Sequence, residues 1–427
     1  MDKKIINFDE IITEFVSKAV NINCPHDTVG EDFNEFIELI SDFFSKYSNS
    51  QLEKIDKKIC CLNVTPKVFS FGLAIKIILS RRYIKNNLPN KSICINVINP
   101  VYKERNRMSL PDKKNPFGEN TIIEKIKIYR KIEILSKNKI IIKFWVVDDV
   151  CPEKSGKLAE KIIKDNFPKD FKIKYNVLYL KDAIKNGLYP PKNNINGSIK
   201  GASFHYALKT ILNKKQIQGD NLFLDTDDDL SIHPELLGLL LKKYYTNKAV
   251  AVIGSRREKN SLSIIEHHRG DRGKLYIAIL QKLLPILSSA KILDTNRAAK
   301  LYNERAAEII IKHQSLWQFP YQIEDILILL KEFPDQVYPQ GVSYIDSIFL
   351  STTKRRFAYY KQIFDQIYLS NKFQSDKYEY DLKCMLSHMG VKKWKYFEDN
   401  VPYAIIKTPI NKLKNLPIKN ILEKIVQ

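Results

Sequence analysis

The chain has 427 residues, 44% of them hydrophobic and 11% aromatic, which suits one large or two to three smaller globular domains. Its 70 Lys and Arg residues outnumber 48 acidic residues, so the formal net charge is +22 and the pI is about 9.4. This balance favours anionic partners such as nucleotides, phosphorylated substrates, anionic membrane surfaces or nucleic acid, and charge alone selects none of them.

Cysteine spacing and hydropathy argue against several classes of protein. The six cysteines form no Cys-x-x-Cys pair and no zinc spacing with histidine, so neither a disulfide framework nor a structural zinc site is expected. The N-terminus lacks the long apolar core of a signal peptide, and no stretch reaches the roughly 18 to 20 apolar residues of a membrane span. We therefore expect a cytoplasmic protein, with peripheral contact to a membrane left open.

The pattern of apolar residues predicts three regions. Residues 1–90 carry apolar side chains at helical spacing, as at Phe33, Phe36, Ile37 and Ile40, and are interpreted as a helical accessory region. From residue 91 to 350, β-branched runs alternate with helical segments, which is typical of an α/β domain built on a mostly parallel sheet. Residues 351–427 are basic and are predicted to be mainly helical. The expected strands of the middle region include 93–98, 140–147, 173–180 and 249–253, and the expected helices include 120–136, 155–166 and 202–212.

An acidic strand end is the strongest single signal for function. The apolar run 222–224 is followed at once by Asp225, Asp227, Asp228 and Asp229. A buried parallel strand would deliver these carboxylates at the carboxyl edge of the sheet, where open α/β sheets bind ligands. Asp225 and Asp227 could then hold Mg²⁺ or Mn²⁺ against a diphosphate, whereas Asp228 and Asp229 suit a turn or a helix cap. The alternative is an acidic loop that only caps the next helix, 233–245.

Further polar motifs follow the other expected strands. The segment 99–104 (Asn-Pro-Val-Tyr-Lys-Glu) follows the first strand, and Asp148-Asp149 follows the second. Lys200-Gly201 stands before a helix, where backbone N–H groups and a positive charge can approach phosphates. Gly254-Ser255-Arg256 follows the strand 249–253.

The order of these motifs resembles family 2 glycosyltransferases of the GT-A fold, and it is most similar to the dolichyl-phosphate and polyprenyl-phosphate sugar synthases. The resemblance rests on the segments 99–104, 146–149, 200–202, 223–227 with 233–234, 254–256 and 294–302, and it covers about residues 92 to 350. It implies a GT-A fold, that is, a Rossmann-like, mostly parallel sheet flanked by helices. The sequence departs from the family pattern at two places. Val150-Cys151 stands where the family has Gly-Ser, and 297–299 (Arg-Ala-Ala) stands where it has Cys-Gly-Phe. The resemblance therefore does not identify the donor or the acceptor.

The resemblance also implies roles for single residues. Asp225 and Asp227 would hold Mn²⁺ or Mg²⁺, and Arg256 could add positive charge near the phosphates or serve only as a surface ion-pair partner. The implied nucleotide-sugar site comprises Pro100, Tyr102, Glu104, Asp148, Asp149, Lys200, Gly201, Asp225 and Arg256.

A candidate general base opens the apolar helical run near residue 324. Related enzymes place a Glu-Asp pair here, so the resemblance implies Asp325, and secondly Glu324, as the base that deprotonates an acceptor hydroxyl. Carboxylates at this position also suit an N-terminal helix cap, which needs no catalytic role. A lipid-phosphate acceptor would be ionised already and would need little help from a base.

Two features near residue 270 concern the acceptor side. His267, His268, Arg269, Asp271 and Arg272 are expected to form a loop, either solvated or in contact with phosphate. The apolar helix that follows, about 275–287, fits either contact with a membrane or packing in the core.

The leading hypothesis is therefore a metal-dependent, nucleotide-sugar-dependent hexosyltransferase. It would move a sugar, with inversion as the default, to an unidentified glycan, lipid phosphate or protein acceptor. One alternative is a retaining GT-A transferase that acts on a small phosphorylated acceptor. The other is a non-enzymatic basic module for anionic membrane or nucleic acid, which leaves the clustered carboxylates unexplained.

Overall fold

The structure is a computed structural model that describes residues 7–167, 174–185, 200–214, 218–318, 320–346 and 357–426. The strands are β1 (Ile93–Val101), β2 (Ile140–Asp148), β3 (Lys174–Tyr179), β4 (Asp220–Asp225), β5 (Ala251–Ser255), β6 (Leu262–Ile264), β7 (Lys300–Asn303), β8 (Val337–Gly341) and β9 (Ser343–Ile345).

Helices account for most of the remaining described residues. The first ten are α1 (Phe8–Lys18), α2 (Glu31–Phe43), α3 (Asn49–Ile59), α4 (Pro66–Asn86), α5 (Arg105–Met108), α6 (Thr121–Leu135), α7 (Ser155–Asn166), α8 (Leu180–Lys185), α9 (Gly201–Leu212) and α10 (Leu237–Asn247). The others are α11 (His267–Leu283), α12 (Pro285–Ser289), α13 (Glu304–His313), α14 (Tyr321–Glu332), α15 (Phe357–Phe373), α16 (Tyr380–His388), α17 (Val391–Asp399), α18 (Tyr403–Lys407) and α19 (Ile418–Val426).

A mixed seven-stranded sheet forms the centre of the fold, in the order β3-β2-β1-β4-β7-β5-β8. All neighbouring strands are parallel except β7, which is antiparallel to both β4 and β5. The predicted α/β class, with a mostly parallel sheet flanked by helices, is confirmed. Residues 93–101 of β1 are buried throughout, as expected of a strand that is covered on both faces.

The reversed direction of β7 matters for function. Lys300, its first residue, pairs with Asp225 of β4 and with Ile253 of β5. Because these two residues stand at or near the carboxyl ends of their strands, the loop before β7 arrives at the same edge. Residues 294–299 therefore join the polar strand ends there.

Apolar residues on the two faces of the sheet belong to two separate core clusters. In β2, Trp145 and Val147 pack with helices such as α9 and α14, whereas Phe144 and Val146 pack with helices such as α6 and α10. This alternation follows from the two-residue period of a strand. The result is a sheet with helices on both faces.

The N-terminal helices α1 to α4 confirm the predicted helical character of the first 90 residues. Their core is rich in phenylalanine, including Phe15, Phe44 and Phe71. Helix α4 packs on α10, on β6 and on β9, and β6 and β9 form a separate two-stranded parallel sheet. The domain boundaries at residues 90 and 350 stay predictions, and residues 347–356 lie outside the described part of the chain.

The predicted loop around residue 270 is helical instead. Helix α11 begins at His267 and ends at Leu283, and α12 begins at Pro285, which cannot continue the hydrogen bonding of the preceding helix. Leu275, Ile279 and Leu283 are fully buried, so this apolar helix packs in the core and not on a membrane. Helices α15, α17, α18 and α19 pack against it, and the described C-terminal region is mainly helical as predicted. Among the described residues, no helix has both the length and the apolar character needed to cross a bilayer.

Candidate functional site

A cavity of about 280 Å³ lies at the carboxyl edge of the central sheet. Its wall combines the ends of β1 and β4 with the segment after β5, the loop before β7 and one face of α11. Residues that are far apart in the sequence therefore share one wall. They include Pro100, Tyr102, Glu104, Arg107, Asp149, Lys200, Asp227, Asp228, Asp229, Arg256, Arg257, Arg269, Arg272, Asp294, Arg297, Gln322, Tyr344 and Asp346.

Asp225 and Asp227 converge on the side chain of Lys200. The Lys200 ammonium lies 2.8 Å from Asp225 Oδ1 and 2.7 Å from Asp227 Oδ1. Asp225 is completely buried, whereas the Asp227 side chain is 35% exposed and lines the cavity. The two carboxylates that the sequence singled out are thus aimed at one cationic centre, which in this structure is a lysine.

The start of α9 positions Lys200. Its backbone N–H donates to Asp149 Oδ2 at 3.0 Å, and the hydroxyl of Ser203 donates to the other oxygen of the same carboxylate. Gly201 packs so closely that an added Cβ would lie 2.4 Å from the carbonyl oxygen of Trp317. A side chain at residue 201 would therefore displace the segment that carries Lys200.

Further cations surround the same pair of carboxylates. The Lys300 ammonium lies 3.9 Å from Asp225 Oδ2, which also accepts a hydrogen bond of 3.2 Å from the Tyr321 hydroxyl. Burial lowers the pKa of Lys300 to about 8, although Asp225 opposes this effect. Burial opposes ionisation of Asp227, but Lys200, Arg297 and Lys300 outweigh it and hold the pKa of Asp227 well below its usual range. Asp227 is thus ionised at neutral pH.

The donor set can be compared with the metal that the resemblance implies. Hard carboxylate oxygens are the ligands that Mg²⁺ and Mn²⁺ prefer, and Mg²⁺ is often held by one or two carboxylates with phosphates and water completing its shell. Asp225 and Asp227 supply such a pair, and their Oδ1 atoms already share one cationic neighbour. The described residues hold no group of three or more His, Cys, Asp or Glu arranged for a metal. Asp225 and Asp227 therefore fit a divalent cation whose other ligands include a diphosphate. The Lys200 ammonium would have to move away from both carboxylates for this cation to bind.

Asp228 and Asp229 have structural partners. Asp228 Oδ1 accepts from Asn99 Nδ2 at 2.7 Å, which ties the loop after β4 to β1. The buried Lys125 donates to Asn99 Oδ1 at 2.8 Å and to the backbone carbonyl of Asp227. Burial raises the pKa of Asp228 to about 6 against the effect of Lys125. Asp229 accepts from the Ser231 N–H at 3.1 Å, the turn contact expected for it.

The two aspartates after β2 separate in space. Asp149 lines the cavity, but Asp148 accepts from the backbone N–H groups of Cys151 and Gly156 at 2.9 and 2.8 Å and does not line it. Asp148 therefore holds the loop that leads into α7. Glu104 does line the cavity, paired with Arg107 at 2.7 Å. Burial raises the pKa of Glu104 to about 8, although Arg107 acts in the opposite direction.

Arginines dominate the opposite part of the cavity. Arg256 forms a bidentate pair with Asp294, with Nε–Oδ2 and Nη2–Oδ1 distances of 2.7 and 2.9 Å. The Arg256 side chain is 10% exposed and that of Asp294 is 3% exposed, so Arg256 pairs with a buried carboxylate and not with a surface one. Arg269 of α11 pairs with Asp346 at 3.0 Å. Arg256 also lies over the ring of Tyr344, 5.0 Å from its centre.

The cavity is thus divided by charge. Its first half carries five acidic against two basic side chains, namely Glu104, Asp149, Asp227, Asp228 and Asp229 against Arg107 and Lys200. The second half, formed by the segment after β5, the loop before β7, α11 and the residues around β9, carries five basic against two acidic side chains, namely Arg256, Arg257, Arg269, Arg272 and Arg297 against Asp294 and Asp346. Of these arginines, Arg297 also lies close enough to Asp227 to lower its pKa. A cation bound at the acidic half and an anion bound at the basic half would each meet a complementary field.

The predicted base lies outside this wall. Asp325 is completely buried and its two oxygens lie 3.0 and 3.1 Å from Nε2 of the equally buried His205. Burial raises the pKa of Asp325, although His205 opposes the shift. Glu324 is also buried, where it accepts from the backbone N–H groups of Ser315 and Leu316 and pairs with Lys372 at 2.7 Å. From α14, the residue that reaches the cavity is Gln322.

Several cavity residues were not predicted as site residues. Arg107 lies three positions after the motif 99–104, and Arg257 directly follows the motif 254–256. Closeness to these motifs in the sequence was the one signal that could have identified the two arginines. Arg297 occupies a position where the sequence departs from the family pattern. Tyr344 and Asp346 come from β9 and the residue after it, and no sequence signal marks them.

Comparison with models of known protein families finds no match, and a search among curated proteins finds no similar sequence. Function is therefore inferred from the geometry of this cavity.

Proposed function

We propose that this protein is a glycosyltransferase of the GT-A fold that moves a sugar from a nucleoside-diphosphate sugar to an acceptor, with Mg²⁺ or Mn²⁺ as cofactor. The observation that carries the proposal is the convergence of Asp225 and Asp227 on one cationic position at the carboxyl edge of the sheet. Parallel α/β sheets bind their ligands at this edge. Asp149, Lys200 and Arg256, which come from three other motifs, line the same cavity or contact its wall.

In this proposal the chain's own side chains prepare the site for an anionic leaving group. Asp225 and Asp227 hold the metal, which supplies Lewis-acid stabilisation of the departing diphosphate. With these two carboxylates engaged by a metal, Lys200 would be available to hold the phosphates. Asp149, Pro100 and Tyr102 form the adjoining wall, where the nucleoside would bind.

Inverting transfer is the proposed stereochemistry. Asp325 and Glu324 stay predictions for the role of general base, since both are buried behind the cavity wall. Retaining transfer to a small phosphorylated acceptor is the alternative within the same fold. NMR of the product anomer distinguishes the two outcomes.

The experiment that tests the proposal compares an aspartate just after β4 with the aspartate at the start of that strand. Asp227→Asn at the carboxyl edge should abolish stabilisation by nucleotide sugars with Mn²⁺ and lower transfer or donor hydrolysis by about 100-fold or more. Asp220→Asn is the matched control, because Asp220 lies at the opposite end of β4 and pairs with Lys91 there. Full activity of the Asp227→Asn variant, or full activity with a chelator present, would contradict the metal-dependent reaction.

A second observation supports contact with an anionic membrane. Helices α17 and α18 expose Tyr396 (55%) and Tyr403 (73%), together with Lys392, Lys393 and Lys395. Aromatic rings with lysines around them suit the headgroup region of an anionic bilayer. We propose peripheral membrane contact through this surface, for a protein located in the cytoplasm.

Vesicle binding tests that contact. Reversal of the three lysines of α17 to glutamate should weaken binding to phosphatidylserine vesicles by at least about 100-fold, given roughly 1 kcal/mol for each lysine. Reversal of three exposed lysines of α7, Lys157, Lys161 and Lys164, is the matched control. Equal binding by both triple variants would exclude the surface on α17 and α18.

A further inference from the structure

Two arginines in the basic half of the cavity, Arg257 and Arg297, lack a direct ion pair among the residues that the structure describes. The Nε atoms of Arg257 and Arg297 are buried and have no hydrogen-bond acceptor. Neither guanidinium forms an ion pair with any part of the chain that the structure describes, although both line the cavity. The neighbouring Arg256 and Arg269 differ, because each is satisfied by an aspartate.

This arrangement is unfavourable for Arg257 in the protein alone. Burial also opposes the charge of Arg297, but Tyr344, Asp294 and Asp346 outweigh it and hold the pKa of Arg297 above its usual range. Burying an unpaired charge or an unsatisfied donor costs free energy, and like charges in close proximity add to the cost. Burial together with the charges of Arg256 and Arg297 lowers the pKa of Arg257 to about 10. Groups that are poorly satisfied in the isolated protein and that face a cavity are typical of ligand-binding sites.

Both guanidinium groups are held in place from one side. Arg297 lies over the ring of Tyr344, 4.6 Å from its centre. Arg257 reaches the backbone of α11, where a Cβ added to Gly273 would lie 3.3 Å from Nη2. Packing thus restrains the arginines while their Nε–H groups have no acceptor among the described residues, and this pre-organisation lowers the entropic cost of binding.

We propose that Arg257 and Arg297 form an anion subsite for a phosphate or carboxylate group carried by the acceptor. The inference rests on the proposed transferase function, in which the donor diphosphate and its metal occupy the acidic half of the cavity. Planar guanidinium groups match the geometry of such anions and bind them through paired, charge-assisted hydrogen bonds. Arg297 also stands where the sequence departs from the family pattern, so the subsite belongs to this chain and not to the shared motifs.

Calorimetric titration of the full chain with inorganic phosphate tests the subsite directly. Arg257→Gln and Arg297→Gln should each weaken phosphate binding by roughly tenfold or more, which is the loss expected for a charge-assisted hydrogen bond. Arg305→Gln is the matched control, because this arginine lies on α13 against the Phe333 ring and does not line the cavity. Absence of phosphate binding by the wild type at millimolar concentration, or equal affinity in all variants, overturns the proposal.

Repeating the titration with Mg²⁺ and saturating UDP or GDP separates the subsite from the donor site. If phosphate still binds under these conditions, and its affinity still falls in Arg257→Gln and Arg297→Gln, the result supports a second anion position. Phosphate that is displaced by the nucleotide belongs to the donor site and overturns the proposal. If neither nucleotide binds while phosphate does, the donor assignment fails and the anion subsite stands.

Two organic phosphates distinguish the sources of the anion. Glycerol phosphate represents a small polar acceptor, and decyl phosphate represents a lipid phosphate, for which Ile277 and Leu280 of α11 provide an apolar wall. One of the two compounds should bind more tightly than inorganic phosphate and lose this binding in Arg257→Gln. That result supports the subsite, and the compound that shows it identifies the source of the anion. Binding of both compounds that is unchanged in Arg257→Gln overturns it.

Thermal stability without ligand provides an independent readout. Arg257→Gln should leave the Tm unchanged or raise it, because it removes a buried charge that has no partner. Arg256→Gln should lower the Tm, because it leaves Asp294 buried and unpaired. A loss of Tm in Arg257→Gln as large as that in Arg256→Gln would assign Arg257 a structural role and overturn the proposal.

Discussion

The ammonium of Lys200 lies 2.7 Å from Asp227 Oδ1, at the position where the proposed function requires a divalent cation. The same ammonium lies 2.8 Å from Asp225 Oδ1, so the chain itself neutralises the two carboxylates that we propose as metal ligands. A metal that binds to them has to displace this lysine. Lys200 would therefore compete with a metal for these carboxylates, and it is a candidate ligand for phosphate when the metal is bound.

Removing this competitor should strengthen metal binding. We expect Lys200→Met to bind Mn²⁺ more tightly than the wild type in the absence of nucleotide, by about tenfold or more, because two carboxylates lose their ion-pair partner. Titration followed by the electron paramagnetic resonance of free Mn²⁺ measures this change without an activity assay. Lys181→Met, an exposed lysine of α8, is the control. An unchanged affinity in Lys200→Met would mean that lysine and metal do not share a position.

The buried pair of Asp325 and His205 leads to a second prediction. Because both side chains are completely buried and lie outside the cavity wall, we expect Asp325→Asn to lower the Tm. The activity of the folded fraction should change by less than about tenfold, whereas loss of a general base costs about 100- to 10,000-fold. Steady-state kinetics with thermal unfolding of the same samples separates the two effects. Glu332→Gln, at the exposed end of the same helix, is the control. A loss of 100-fold or more in Asp325→Asn would identify Asp325 as the general base.

Sequence reasoning located the site through strands that end in polar residues. Asp225, Asp227 and Asp149 could be placed at one edge because alternation of strands and helices predicts parallel strands, and parallel strands end at the same edge. The loop 294–299 could not be placed there, since its position depends on the antiparallel direction of β7. Nor could the sequence tell that Asp325 faces His205, because every side chain near it on α14 is buried and helical periodicity then selects no face.

The N-terminal region is expected to support the metal site at a distance. Arg81 of α4 forms a bidentate contact with Glu235, which is 5% exposed and follows the acidic strand end, with an Nη2–Oε1 distance of 3.0 Å. Arg81→Met leaves this carboxylate buried without its partner, so we expect a loss of about 3 kcal/mol in the free energy of unfolding. Urea denaturation measures the loss.

The Arg81→Met variant should also bind nucleotide and Mn²⁺ more weakly. Glu235 anchors the segment that directly follows Asp227 in the chain, so loss of this anchor should loosen the position of Asp227. Lys58→Met is a suitable control, since its partner Asp9 is an exposed residue far from this segment in sequence. Unchanged stability and unchanged nucleotide binding in Arg81→Met would show that the N-terminal helices contribute nothing to the site.

The stability of the fold should depend on pH through His233. Burial lowers the pKa of this side chain to about 4, although Glu235 opposes the shift, and its Nδ1 accepts from the Glu235 N–H at 3.2 Å. Between about pH 6.5 and pH 4 the unfolded chain binds a proton at this residue that the folded chain does not, so stability falls as the pH falls. The expected loss from this group between about pH 7 and pH 5 is about 2 kcal/mol. His233→Asn, which keeps an acceptor for the Glu235 N–H, should remove that part of the pH dependence in urea denaturation, and the exposed His313→Asn should not. A wild-type-like pH dependence in His233→Asn would show that this histidine is not held neutral by burial.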